Sequence, residues 1–500
     1  MSKEPLIMAI DQGTTSSRAL IFDSQGRTVT SAQQEFQQHY PNPGWVEHDP
    51  EEIWSTTLKS AQKAMKEAES GGAGEVVCIG ITNQRETTLC WERGTGRTVA
   101  PAIVWQDRRT ADLCAELQAR NLEEKINHRT GLTIDPYFSG TKLRWILRNV
   151  PEAQRLADSG QLAFGTVDTF LINRLTGGSV HVTDETNASR TMMYNIVEGV
   201  WDTEILELLG VPDSVLPEVQ PSASAFGHTS PELFGRALPI LGVSGDQQAA
   251  AFGQACWHAG MIKSTYGTGC FLLASTGEEL IYSTNGLLST VACRTGSEPQ
   301  YAIEGSIFIA GAVSQWLRDE LGLIEHVNEI APLAGGMKDN TGVYLVPAFT
   351  GLGAPHWDPA ARGAVFGLTR DSDRKVMVRA ALESVAYQTH DLLTALKSDG
   401  LETGRIRVDG GMVSNDWFLQ FLADTVNTPI DRPDTIESTA RGAAFLAGLQ
   451  AGVYESVETL ETLWQADRTF GSQMSERDRN KNLSGWEKAV QTTLFRASLD

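Results

Sequence analysis

Ile10-Asp11-Gln12-Gly13-Thr14-Thr15-Ser16-Ser17-Arg18 is the stretch whose reading decides the fold. Short apolar runs flank it, Leu6 to Ile10 and Ala19 to Phe22, and both read as buried strands. The Gly/Thr/Ser link between them reads as a tight turn. Such a turn aims backbone N–H groups and hydroxyls at one point, a geometry that holds phosphate. Asp11 ends the first strand, where a carboxylate can hold magnesium through water. The Gly-Lys-Ser/Thr of a Walker A loop is missing, and an ordinary hairpin with a polar tip is the competing reading. Half a chain later the pattern returns as Met261-Ile262-Lys263-Ser264-Thr265-Tyr266-Gly267-Thr268-Gly269-Cys270-Phe271-Leu272-Leu273. One such hairpin opening each half predicts two related α/β domains facing each other across a cleft, residues 1–252 and 253–500.

Composition narrows the function. At 500 residues, two domains of roughly 200–250 residues are expected. A net charge of −21 with a pI of about 4.9 repels phosphate backbones and argues against a nucleic-acid partner. No segment reaches the roughly 18 unbroken apolar residues of a membrane helix, so no membrane insertion is expected. Met1-Ser2-Lys3-Glu4 leads straight into a strand without the apolar core of a signal peptide, which predicts a cytoplasmic protein. The six cysteines form no CxxC pair and read as reduced thiols.

Several strand ends deliver polar side chains, which is where α/β proteins place ligands. Val76 to Thr82 runs into Asn83-Gln84-Arg85-Glu86-Thr87-Thr88. Arg85 offers a fork of donors and Glu86 two acceptor oxygens, the pair a polyhydroxy compound needs; a structural ion pair is the alternative. Ala102 to Trp105 reads as another strand, with Trp105 at its end, and Tyr137 precedes a helix beginning at Ser139. Thr183 to Arg190 reads as an interior polar loop. Ile240 to Gly245 delivers Asp246-Gln247-Gln248 ahead of a small-residue helix from Ala249. Asp246 is therefore either a base for an attacking hydroxyl or a helix N-cap. Glu304 to Ala312 leads into a helix carrying Gln315. Val376 to Lys397 is an amphipathic helix with a Val378, Leu382, Val385, Thr389, Leu392, Leu396 stripe. Ile406 to Met412 is a strand opening into a glycine turn, after which Ser414-Asn415-Asp416 caps a helix. Ala440 to Gly448 is a helix of small residues suited to close packing, and the chain from Gly471 reads as peripheral.

Taken in order, these stretches resemble the glycerol kinases of the carbohydrate-kinase family, within the actin–hexokinase superfamily. The resemblance rests on Asp11 to Arg18, Gly80 to Thr87, Asp135 to Lys142, Gly245 to Gln248, Tyr266 to Phe271 and Val408 to Gly411, and spans nearly the whole chain. It implies two ribonuclease-H-like domains and phosphorylation of glycerol by ATP with Mg2+. By similarity, Arg85, Glu86, Tyr137, Asp246 and Gln247 bind the hydroxyls, and Trp105 and Phe271 hold the carbon side. Asp246 is implied as the general base and Asp11 as the magnesium holder. Thr14, Thr15, Ser16 and Arg18 are implied for the phosphates, and Thr268, Gly311, Gln315, Gly411 and Asn415 for the nucleotide. A homo-oligomer, dimer or tetramer, is also implied. The segment His228 to Arg236 departs from the glycine-rich loop by which some bacterial members bind a sugar bisphosphate. Two rivals remain at this level: a kinase for another polyol or ketose, and an actin-like ATPase with a protein partner.

Overall fold

A computed structural model describes residues 4–337, 339 and 341–499; the leader reading at Met1 to Lys3 falls outside them. Two sheets carry the fold. The first joins β1 (Pro5–Gln12), β2 (Ser16–Phe22), β3 (Thr28–Glu35), β4 (Glu75–Asn83) and β5 (Ile240–Gly245) in the order β5-β4-β1-β2-β3. The second joins β6 (Ile262–Tyr266), β7 (Cys270–Gly277), β8 (Leu288–Val291), β9 (Tyr301–Ile307), β10 (Ile406–Asp409), β11 (Ile430–Pro433) and β12 (Ala466–Phe470) in the order β8-β9-β7-β6-β10-β11-β12.

The two share one plan. β1 pairs antiparallel with β2 and parallel with β4; β6 pairs antiparallel with β7 and parallel with β10. A third antiparallel strand lies beyond each hairpin, and a second parallel strand on the other side. The repeat suspected from two hairpins thus extends to five strands on each side, a ribonuclease-H-like topology with β8 and β12 added at the edges of the second sheet.

The helices are α1 (Pro50–Ser70), α2 (Val167–Leu175), α3 (Asp246–Gly253), α4 (Ala312–Asp319), α5 (Arg374–Ser398), α6 (Asp416–Val426), α7 (Ser438–Gln450) and α8 (Glu476–Ala497), besides shorter ones. β1 is apolar on both faces because both are covered. Leu6, Met8 and Ile10 pack with Ile53, Ala61 and Met65 of α1 and Phe170 and Leu171 of α2. Ile7 and Ala9, on the opposite face, pack with Ala443, Ala444 and Ala447 of α7. So α7, from the second half of the chain, closes the first sheet. Glycine makes this approach possible: a Cβ on Gly80 would stand 2.1 Å from the Ala443 carbonyl oxygen, and one on Gly242 2.5 Å from the Ala447 nitrogen.

Four expectations are corrected. Thr183 to Arg190 is interior, but Val182–Asp184 is a short strand and Glu185–Ala188 a helical turn. The strand before Trp105 spans only Ala102–Ile103, paired with Glu47–His48. α5 buries far more than one stripe, since Arg379, Glu383 and Tyr387 are buried beside Leu382 and Val385. The chain after Gly471 is not peripheral: α8 stacks Trp486 on Tyr387, ring centroids 5.4 Å apart, and its indole N–H donates to Asp391 at 2.7 Å.

Candidate active site

Between the sheets lies a cavity of about 310 Å³, walled by Thr14, Thr15, Arg85, Glu86, Trp105, Tyr137, Asp246, Gln247, Thr268 and Phe271 among others. The hairpin turn of the first sheet and Gly267 to Gly269 of the second face each other across it.

The first turn is held from behind. Gln12 and Gln84 side-chain amides donate to the Gly13 carbonyl at 2.8 and 3.1 Å, and Gln38 donates to the Thr14 carbonyl at 2.9 Å. Gln38 is itself fixed by buried His48, at 2.6 Å, whose ring burial holds down at a pKa of about 4. These neutral donors tie down two of the turn's carbonyls, the Gly13 N–H is spent on the Ser16 carbonyl at 2.9 Å, and Thr14 and Thr15 are the residues the turn brings to the cavity.

The opposite wall is built on β4 and β5. Beyond β4 the chain turns sharply, and Glu86 takes φ 60°, a strained conformation for a residue with a side chain. Arg85 is buried, and its guanidinium forks onto Glu304 of β9, Nη1 to Oε2 at 2.5 Å and Nη2 to Oε1 at 2.9 Å. Its Nε stands 3.2 Å from Asp246 Oδ1. Glu86 Oε1 accepts from Arg190 Nε at 2.7 Å. Arg85 and Glu86 are thus not each other's main partners, at 3.9 Å; each is held by a further buried charge.

Asp246 is the first residue of α3. Gly245 occupies the cap, with no side-chain cap bond, so the N-cap reading fails and the helix starts three residues before Ala249. Asp246 Oδ1 is buried and accepts no hydrogen bond, while the side chain as a whole is 32% exposed. Burial raises its pKa to about 6, against the pull of Arg85 and with a push from Glu86. Beside it Gln247 Oε1 accepts from Lys263 Nζ at 2.5 Å. Burial lowers the Lys263 pKa.

Aromatic rings close the apolar side. Trp105 meets Tyr137 and Phe271 edge-on, with centroids 5.7 and 6.2 Å apart, and its indole N–H donates to Thr14 Oγ1 at 3.0 Å. Tyr137 is buried and its hydroxyl is pushed well above the usual range by that burial.

The remaining expected residues lie apart from this wall. Ser16 accepts from Gln33 at 2.9 Å, on the β3 side of the turn. Arg18 bridges Asp11 and Glu437, and those anions hold its pKa above the ordinary value. Gly311 donates its N–H to the Gly267 carbonyl at 2.8 Å, and a Cβ there would come within 2.5 Å of that oxygen. Gln315 is on the first turn of α4. Gly411 and Asn415 line a separate cavity of about 320 Å³ with Ser314, Ala331 and Leu382. Asn415 also caps α6, accepting from Phe418 N at 3.1 Å.

The chain matches the FGGY family of carbohydrate kinases, N-terminal domain over residues 6–253 and C-terminal domain over 262–451. It belongs to that family. It is 56% identical to glycerol kinase 1 of Pseudomonas aeruginosa over 97% of this chain and 98% of that one. It is 55% identical to a glycerol kinase of Rhodospirillum centenum over 99% of both. The structure of Plasmodium falciparum glycerol kinase with ADP superposes with a TM-score of 0.92 at 38% identity, over 99% of each chain. This FGGY kinase carries buried charges that sequence reading left without a role, Arg190, Lys263 and Glu304, with the buried amide Gln248 beside them. Their signal was available, since Lys263 and Glu304 interrupt strands that are otherwise apolar or small.

Proposed function

We propose that the cleft transfers the terminal phosphoryl group of ATP to a primary hydroxyl of glycerol, giving sn-glycerol 3-phosphate, with residues 1–252 holding the alcohol and 253–500 the nucleotide. One observation carries this reading: Asp246, Arg85 and Glu86 share a wall with Trp105, Tyr137 and Phe271, facing two Gly/Thr turns. A triol needs that mixture, acceptors and donors for its oxygens and ring faces for its carbons.

Asp246 takes the hydroxyl proton. Its Oδ1 is buried 3.2 Å from Arg85 Nε, while the side chain as a whole is 32% exposed, so the alcohol O–H would donate to Oδ2. A carboxyl with a pKa of about 6 is ionised at neutral pH yet more basic than an exposed aspartate, which suits a general base. As the alcohol oxygen bonds to phosphorus, the bond to the departing diphosphate oxygen breaks and the proton rests on Asp246. Arg85 and Glu86 orient the other hydroxyls, Gln247 assists through its contact with Lys263, and the rings exclude water. Thr14 and Thr15 on one side and Thr268 on the other cradle the phosphates, with Ser16 and Arg18 behind the first turn. Gly311, Gln315, Gly411 and Asn415 receive the rest of the nucleotide. Asp11 fits a water-mediated magnesium: it is a single, nearly buried carboxylate below the phosphate turn, and magnesium needs only one or two carboxylates besides phosphate oxygens and water. Magnesium supplies charge neutralisation at the phosphates.

ADP release measured with a panel of polyols tests this reading. Glycerol is expected to give the highest kcat/KM; a far higher value for xylulose, gluconate or erythritol would refute it.

A further inference from the structure

Glu304 sits in the middle of β9, a strand buried along its whole length, and is itself 0% exposed. A carboxylate there is costly unless its oxygens are matched. Both are matched from the other sheet's half of the chain. Arg85 donates to each oxygen, and Arg190 Nη2 donates to Oε1 at 3.1 Å. Ser306, its near neighbour on the strand, adds a longer bond at 3.4 Å. Against the strong contrary effect of burial, Arg190 and Arg85 hold the Glu304 pKa at about 2.

Glu304 and Arg190 do not line the cavity, whereas Arg85 does. The two terminal nitrogens of Arg85 are spent on Glu304, with Gln248 also accepting from Nη1 at 3.2 Å. Its Nε is left near Asp246 and Glu86. The direction in which Arg85 presents itself to a ligand is therefore set by a carboxylate on the opposite sheet. Arg190 has the same anchor and in turn fixes Glu86, with its guanidinium carbon 5.7 Å from the Tyr137 ring centre. Arg190 Nη1 is buried without a hydrogen-bond partner, so Arg190 too is placed by Glu304 and Glu86 and not by a full set of its own bonds.

We infer that Glu304 is a positioning residue through which the second sheet sets the hydroxyl-binding groups of the first, so that affinity for the alcohol depends on how the two halves sit against each other. This rests on the reading of the cavity as a glycerol site. Wild-type turnover of glycerol is therefore measured first: its absence would remove that reading, separately from the role of Glu304.

The test is Glu304→Gln, which keeps the shape and removes the charge. The KM for glycerol is expected to rise at least about tenfold, as for loss of a charge-assisted bond, with the KM for ATP changed less than about twofold. The rise in Tm that glycerol produces in the wild type is expected to shrink in step. Glu304→Asp retains the charge but withdraws it by one methylene, and a smaller shift of the same kind is expected; it serves if Glu304→Gln does not fold. A purely structural role predicts a lower Tm with both KM values unchanged. That result, or equal rises in both KM values, in either variant, overturns the inference.

Discussion

Asp246→Asn separates catalysis from stability at one atom. The substitution keeps the size and planarity of the side chain and removes its capacity to take a proton. General-base assistance is typically worth about 10²–10⁴-fold, so kcat for glycerol is expected to fall at least about a hundredfold with ATP affinity little changed. Stability should move the other way. Raising a carboxyl from 3.8 to about 6 disfavours the folded state at pH 7 by about 3 kcal/mol at full weight. That figure is already net of the pull of Arg85; the side chain is 32% exposed, so solvent reduces it further. What remains is of order 1 kcal/mol in favour of the variant, so Tm should stay level or rise. The sign also fixes the pH profile. Asp246 must be ionised to accept a proton, so wild-type kcat/KM for glycerol should climb as pH rises through about 6 and then level off. The variant's residual rate should lack that limb. Steady-state kinetics from pH 5 to 8, nucleotide titration and thermal melts on the two proteins suffice. An Asp246→Asn enzyme with near-normal kcat would leave the reaction without its base and sink the mechanism.

Arg85→Ala should cost about 2–4 kcal/mol in kcat/KM for glycerol, because it removes a charged donor and leaves buried Glu304 with Arg190 as its one remaining guanidinium partner. Arg85→Lys should recover only part, since an ammonium cannot span both Glu304 oxygens; near-normal kinetics in the alanine variant would remove Arg85 from the site. Asp168 is buried, and burial together with Asp184 raises its pKa from 3.8 to about 7. The folded protein therefore binds more protons than the unfolded chain between these values, and stability should fall as pH rises from 4 to 7. Asp168→Asn should flatten that slope in urea titrations; an unaltered slope would contradict the assignment.

Local pattern carried much of the architecture. Two Gly/Thr hairpins, each between short apolar strands, led to the expectation of paired domains, because the same pattern recurs half a chain apart although either turn alone also fits an ordinary hairpin. Strand ends pointed to Arg85, Glu86 and Asp246, which line one cavity in the structure. Asp246 as cap or base was undecidable from sequence; Gly245 in the cap position rules out the cap. Glu304 and Arg190 stayed silent because their meaning is relational. A lone charge in an apolar strand announces that a partner exists but not where, and Arg85 lies 219 residues away from Glu304. The placement of α7 was hidden for a similar reason: Ala440 to Gly448 promised close packing, yet nothing in it named the first sheet as its neighbour.

That placement bears on how the chain is made. All strands of the first sheet are present once Gly245 has been synthesised, but the helix that covers Ile7, Ala9, Leu20 and Cys78 begins only at Ser438. At about 5–20 residues per second, the intervening stretch of roughly 200 residues takes on the order of 10–40 s to appear. Through that interval a half-clad sheet waits with one oily face turned to the ribosome's surroundings. The first half of this kinase is thus finished last, and a chain cut between the two hairpins would never be finished at all.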